Sequence, residues 1–146
     1  MLQEGATKII AVDVGTNQLH ASLRNVPRIS ILENTDIRDV SSKLVDLFDL
    51  VVVDVAFISL EKIIKDIEIT AKKGGNIVLL YKPQFEAGKE NISKNGLVKK
   101  ETDIQKMLNN FVDTLDNSSL AFVQSKDAYI KGKKGNQEIF IHLKRR

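Results

Sequence analysis

Two residues of this chain stand where strand-end chemistry is expected, Asp54 and Lys82. Asp54 lies in the apolar, β-branched run LVVVDV over 50–55, and Lys82 directly follows NIVLLY over 76–81. A carboxylate ending an apolar strand is partly buried and needs a cationic partner. Lys82, at the end of the neighbouring strand in this reading, supplies one. Such a pair can be structural, or it can orient and activate a hydroxyl. The exit Lys82-Pro83-Gln84-Phe85-Glu86 is unusual: Pro83 fixes the turn and presents the lysine. Glu138 follows Gly135-Asn136 and opens the last strand. It can approach the same place, or stand as a solvated strand start. Asp13 ends the first apolar run, KIIAVDV over 8–14. At that position a carboxylate can accept both hydroxyls of a ribose, or it can merely cap a turn. The turn Asn34-Thr35-Asp36 sits at the end of the next run.

Other chemistries find less support. His20 and His142 are far apart and lack ligand-like neighbours, so no metal site is expected. There is no cysteine, hence no disulfide framework and no thiolate nucleophile. Walker A, G-x-G-x-x-G and G-x-S-x-G patterns are missing. Lys131, Lys133 and Lys134, with Lys144-Arg145-Arg146, form a basic cluster. It reads either as a solvated surface or as an RNA contact, because phosphate binding needs such charge. Few aromatic residues lie near it, which argues against a single-strand stacking platform.

The elements that must position these residues alternate. Met1–Ala6 has the character of a helix end, with Gly5 as its C-cap. Strands are expected at Lys8–Val14, Arg28–Leu32, Leu50–Val55 and Asn76–Tyr81, and such continuous apolar runs suit parallel strands covered on both faces. Helices are expected at Gln18–Arg24, from Ser59 to the Lys72-Lys73-Gly74-Gly75 stop, and at Glu101–Asn117. Residues 84–100 read as a long loop. Leu120–Gln124 and Glu138–Leu143 read as two last strands that pair as an antiparallel hairpin. The pattern specifies an α/β protein with a mostly parallel sheet and right-handed crossovers.

The bulk properties agree. A chain of 146 residues with 42% hydrophobic and 28% charged residues is an ordinary globular domain. No apolar run reaches the ~18–20 residues that a membrane helix needs, and no signal-peptide pattern opens the chain. A cytoplasmic protein without membrane contact is expected. The formal net charge of +3 permits nucleic acid without demanding it.

Four segments converge on one family. AVDVG at 11–15, VVVDVAFISL at 51–60, YKPQFEAGKE at 81–90 and KGNQEIFIHL at 134–143 together resemble the TlyA, or haemolysin A-like, family of FtsJ-like RNA methyltransferases. The resemblance covers nearly the whole chain. It implies a Rossmann-like fold, S-adenosylmethionine as methyl donor, and 2′-O-methylation of ribose in ribosomal RNA, with ribosomal RNA or a ribosomal subunit as partner. The family's active site is a Lys-Asp-Lys-Glu set. Asp54 matches its Asp, Lys82 its second Lys and Glu138 its Glu. Asp13 matches the acidic residue that holds the donor's ribose, and Asp36 with Ile37 matches the position beside the adenine. Lys82 would then help to remove the 2′-hydroxyl proton, with Asp54 orienting it and Glu138 holding the hydroxyl or the lysine.

The resemblance also carries departures. Family members begin with an S4 RNA-binding domain, a first catalytic lysine and a glycine-rich donor loop after the first strand. None has a match here. The expectation is therefore a single domain over 1–146, incomplete at its N-terminus, that lacks the first central strand and is weak or inactive alone. Edges left without a partner could pair two copies as a homodimer. The alternatives are a non-catalytic RNA- or partner-binding fragment and, because Val12–Asn17 also resembles the D-x-G-T phosphate loop of actin-like ATPases and sugar kinases, an ATP-binding fragment. A helix over Gln18–Arg24 favours the methyltransferase; a strand there favours the kinase. The membrane damage suggested by the haemolysin label has no amphipathic segment to support it.

Overall fold

A computed structural model describes all residues, Met1–Arg146. They fold as two compact units, Met1–Lys43 and Leu44–Arg146.

The first unit is built on two parallel strands, β1 (Ile9–Val12) and β2 (Ile29–Leu32), in register from Ile9↔Ile29 to Val12↔Leu32. Between them lies a single helical turn, α1 (Ala21–Arg24), whose N-cap His20 accepts the Ser22 N–H through Nδ1. It starts three residues later than Gln18, where the sequence pattern begins, because His20 rather than Gln18 provides that cap. Helix and parallel pairing both contradict a kinase-type hairpin, in which these residues would form antiparallel strands. A second turn, α2 (Ile37–Val40), follows β2 with Asp36 as N-cap. Upstream, Leu2–Glu4 form a 3₁₀ turn closed by Gly5 at φ +89°, the left-handed cap anticipated for this glycine.

The second unit holds a four-stranded sheet in the order β3-β4-β6-β5. β3 (Phe48–Val53) and β4 (Ala71–Tyr81) are parallel; β6 (Ile139–Arg145) lies antiparallel between β4 and β5 (Leu120–Asp127). Thus β3, β4 and β5 run one way and β6 alone runs back, which is the expected C-terminal antiparallel hairpin. α3 (Ile64–Thr70) and α5 (Ile104–Thr114) carry the crossovers. The core is the helix-covered side of this sheet: Ile77, Leu79 and Tyr81 of β4 and Ile139, Ile141 and Leu143 of β6 are buried. Phe111 of α5 packs its ring 5.7 Å from that of Tyr81. Burial pushes the Tyr81 phenol well above its ordinary pKa, with the Glu86 and Glu61 charges adding to the effect.

Three segments differ from the sequence pattern. Lys72-Lys73-Gly74-Gly75, expected to stop the helix ahead of the strand, instead belong to β4, because α3 already ends at Thr70. The helix expected from Ser59 is interrupted: a 3₁₀ turn at Leu60–Lys62, capped by Ser59, gives way at Ile63 (φ −125°) to α3. The long loop over 84–100 is structured: it contains the turn α4 (Pro83–Glu86), a 3₁₀ turn at Lys89–Asn91 and an Ile92↔Val98 bridge.

Candidate active site

Parallel strands β3 and β4 deliver Asp54 and Lys82 from neighbouring carboxyl ends, since Val53 pairs with Leu79 and the two chains leave the sheet together. The Lys82 ammonium meets the Asp54 carboxylate at 2.6 Å. The partners are unequally placed: the Lys82 side chain is 14% exposed and that of Asp54 64%. The lysine is therefore sunk in the protein, whereas the carboxylate, expected to be partly buried, faces solvent at the rim because Asp54 lies just past the end of β3. Pro83 opens α4 directly after Lys82, so the strand cannot continue.

Glu138 is brought to the same end of the sheet by the antiparallel register. Tyr81 pairs with Ile139 as the last pair of the ladder, and Lys82 and Glu138 are the residues that adjoin that pair. Glu138 is buried, at 8% exposure, which removes the reading of a solvated strand start. Its Oε1 accepts the Gln84 Nε2–H at 2.8 Å. The Gln84 carbonyl oxygen is buried and has no hydrogen-bond partner. Gly132 closes over the carboxylate so tightly that a Cβ there would stand 2.5 Å from Glu138 Oε1.

The loop after β3 is tied to the loop after β4. Glu86 Oε1 accepts the Leu60 N–H at 3.0 Å. Burial raises the Glu86 pKa; the Ser59 hydroxyl and Leu60 N–H oppose that shift, and the Glu61 charge adds to it. Phe57, at φ +64° and 91% exposed, leans on Phe85 with ring centroids 5.1 Å apart. Gln84, Phe85 and Glu86 were legible in the KPQFE run only as an unusual strand exit. Gln84 as partner of Glu138 depends on the strand register, which spacing along the chain does not reveal.

In the first unit Asp13 follows β1, is exposed, and uses one carboxylate oxygen to accept the Gly15 N–H at 2.7 Å. The loops after β1 and β2 are joined by Asn34 N–H to Gly15 O and Thr35 N–H to Asp13 O, both 3.0 Å. Asp36 caps α2 and pairs with Arg38 at 2.6 Å; that guanidinium, with the Arg38 N–H, holds its pKa down to about 2. Ile37 begins α2 beside it. Glu33 is gripped bidentately by Arg24 at 2.7 and 2.8 Å, which lowers its pKa to about 2. The sequence reading did not single out this pair.

The lysines expected to meet RNA sit on the turn between β5 and β6. Lys131, Lys133 and Lys134 are exposed. Asn136, buried, clasps this turn to the 92–98 hairpin by accepting the Val98 N–H and donating to the Gly96 carbonyl. His20 and His142 are far apart in use: His20 caps α1, and His142 Nε2 pairs with Asn76 at 2.8 Å.

A family model described as FtsJ-like methyltransferase matches residues 1–145. The chain belongs to the FtsJ-like methyltransferase family. It is 41% identical over 144 residues to the 23S rRNA (cytidine-2′-O)-methyltransferase TlyA of Campylobacter jejuni, covering 97% of this chain and 55% of that protein. It is 35% identical over 148 residues to Hemolysin A of Brachyspira hyodysenteriae, covering 98% and 60%. This FtsJ-like chain thus spans little more than half the length of these curated relatives. A Lactococcus lactis protein, solved under the working description of a hemolysin, superposes with a TM-score of 0.91 at 31% identity, over 99% of this chain and 70% of that one. These matches support the Rossmann-like methyltransferase fold. No helix of the FtsJ-like chain is long and apolar enough to cross a membrane.

Proposed function

We propose that this chain supplies the catalytic machinery of an S-adenosylmethionine-dependent ribose 2′-O-methyltransferase whose substrate is cytidine in ribosomal RNA. The observation that carries the reading is the Lys82–Asp54 pair at 2.6 Å at two adjacent parallel strand ends, with buried Glu138 beside the Tyr81↔Ile139 pair at the same end of the sheet. The Campylobacter relative, a 23S rRNA (cytidine-2′-O)-methyltransferase by name, supports ribose in rRNA as the substrate class. Such a substrate places the protein in the cytoplasm with the ribosomes.

The chemistry follows from the placement. A ribose 2′-hydroxyl is a poor nucleophile until its proton has somewhere to go. Lys82 and Glu138, brought to one end of the sheet by β4 and β6, hold that hydroxyl: the Glu138 carboxylate receives its proton, and the Lys82 ammonium donates a hydrogen bond to the oxygen as its negative charge develops. Asp54, at the rim, orients the lysine. Gln84 fixes the Glu138 carboxylate, and its unpartnered buried oxygen leaves an acceptor aimed at nothing in the protein itself. Positioning accounts for most of the expected rate, as it does in other in-line transfers.

The methyl donor, when bound, supplies an electrophilic methyl on a sulfonium. The residues of the first unit suit its adenosine half. Asp13, exposed after β1 with one oxygen uncommitted by Gly15, would accept the ribose hydroxyls. Asp36 and Ile37, after β2, would lie beside the adenine. Lys131, Lys133 and Lys134 would meet RNA phosphates.

The test is transfer of isotopic methyl to ribosomal RNA, followed by nucleoside mass spectrometry. The chain alone is expected to transfer slowly, the product that forms is expected to be 2′-O-methylcytidine, and Lys82→Met is expected to reduce it by about 10²-fold or more. A base-methylated product, or transfer indifferent to Lys82→Met, would overturn the reading.

A further inference from the structure

We propose that the turn between β5 and β6 is a stacking tip for single-stranded RNA, in which the Tyr129 ring takes a base beside the target nucleotide and Lys131 and Lys133 hold the flanking phosphates. The proposal rests on the RNA-substrate reading and names how that substrate is gripped.

Tyr129 is fully exposed, at 102% of its reference area, and Ile130 beside it is 79% exposed. Two large apolar side chains stand together at one turn tip outside the core, open to a partner. The tip is not a loose loop. Ala128 N–H bonds to Glu138 O at 2.8 Å, Gly132 N–H to Asn136 O at 2.9 Å, and Gly135 N–H to Gly132 O at 2.7 Å. Gln137 Nε2 donates to both Ala128 O and Glu138 O. Asn136 anchors the far limb to Gly96 and Val98. The ring is therefore presented on a fixed support, which lowers the ordering cost of a contact.

Charge selects the partner. Lys126, Lys131, Lys133 and Lys134 are exposed around the tip, against the one exposed carboxylate of Asp127. Lysines interleaved with an exposed ring are the chemistry of a single nucleic acid strand: phosphates for the ammonium groups, a base for the π-face. Two apolar residues are too small an area to hold a membrane surface.

Position selects the nucleotide. Ala128 is paired to Glu138, so Tyr129 begins one residue from that pair. With about 5.5 Å across an antiparallel pair and 3.8 Å per residue, its Cα lies within roughly 10 Å of the Glu138 Cα. A strand whose ribose lies at Glu138 and Lys82 would carry a neighbouring base past the ring.

The experiment is a titration of the full chain with a short, unstructured, cytidine-containing RNA, read by anisotropy of a label on the RNA and by tyrosine emission. The chain has two tyrosines and no tryptophan, and Tyr81 is buried, so quenching reports on Tyr129. Stacking is expected to quench the emission. Tyr129→Ala should weaken binding about tenfold, with Tyr129→Phe close to wild type. Replacing Lys131, Lys133 and Lys134 by glutamine should weaken binding and flatten its salt dependence. Binding by Tyr129→Ala within twofold of wild type, while the lysine variant fails, would overturn the stacking tip and leave the methyltransferase reading in place. Tyr129-dependent binding to phosphatidylglycerol vesicles with no binding to RNA would overturn it in favour of a membrane contact. Methyl transfer at saturating RNA separates the two claims: Tyr129→Ala should recover the wild-type rate there, whereas Lys82→Met should not.

Discussion

Asp54 and Lys82 have opposite burdens, and that inequality predicts how their variants divide. Asp54 is largely in solvent, so the ion pair contributes about 1 kcal/mol or less to stability. If its role is to orient Lys82, Asp54→Asn should melt close to wild type and lose about 10²-fold in methyl transfer. Equal losses of melting temperature and activity would make the pair structural. Glu86 carries a different signature. Burial raises its pKa above the ordinary 4.5. An acid whose folded pKa is raised stabilises the fold in its protonated form; that contribution is complete below the ordinary value and is lost as pH climbs through the raised one. Glu86→Gln keeps an oxygen for the Leu60 N–H and removes the charge. Its melting temperature should match wild type in acid and exceed it above neutral pH. A wild-type advantage that grows with pH would contradict the assignment of burial as the dominant cause.

At the scale of elements, the turn over Glu138 is the sharpest constraint. Gly132→Ala places a methyl 2.5 Å from Glu138 Oε1, and Glu138 cannot swing freely because it is buried and held by Gln84. The turn's own bonds use Gly132 main chain and survive the substitution. The variant should fold, and lose methyl transfer by tenfold or more through displacement of the carboxylate; full activity would show that Glu138 tolerates movement. The sequence made the strands legible here because LVVVDV and NIVLLY are apolar runs bounded by turn chemistry, and their end residues Asp54 and Lys82 followed at once. Glu138 was legible as a strand start, but not as buried, because burial comes from Gly132 and Gln84 arriving through tertiary packing. The break in the helix at Ile63 was hidden because Leu60, Ile63, Ile64 and Ile67 keep one apolar face across it. The order of Loop 84–100 was hidden for the opposite reason: α4 and the Ile92↔Val98 bridge are held by few residues of polar composition, which periodicity cannot separate from coil. Tyr129 was hidden because a single ring beside lysines reads equally well as core or as surface, and its full exposure is legible only in the structure.

At the scale of the molecule, the two units have unequal means of staying folded. Every buried apolar side chain lies at Leu44 or beyond; in Met1–Lys43 the one buried residue is Ser41. A unit of that size without a buried core is marginal, so it depends on the β1–β2 ladder and on polar clamps. Two of those clamps are carboxylates held to about pKa 2, Glu33 by Arg24 and Asp36 by Arg38, against ordinary values of 4.5 and 3.8. A depressed acid stabilises the fold fully above its ordinary value and loses that contribution as pH falls towards the depressed one. Both side chains are near solvent, so each clamp is modest and screened by salt. The second unit owns the whole apolar core. Amide hydrogen exchange should therefore lose protection first at Ile9–Val12 and Ile29–Leu32 as pH is lowered from about 5 to about 2, while Ile77–Tyr81 and Ile139–Leu143 stay protected. Glu33→Gln should bring the loss in the first unit to near-neutral pH and leave the second unchanged. Simultaneous loss in both units would show that the chain opens as one cooperative body, and that the clamps of the first unit are supported by more than their own charges.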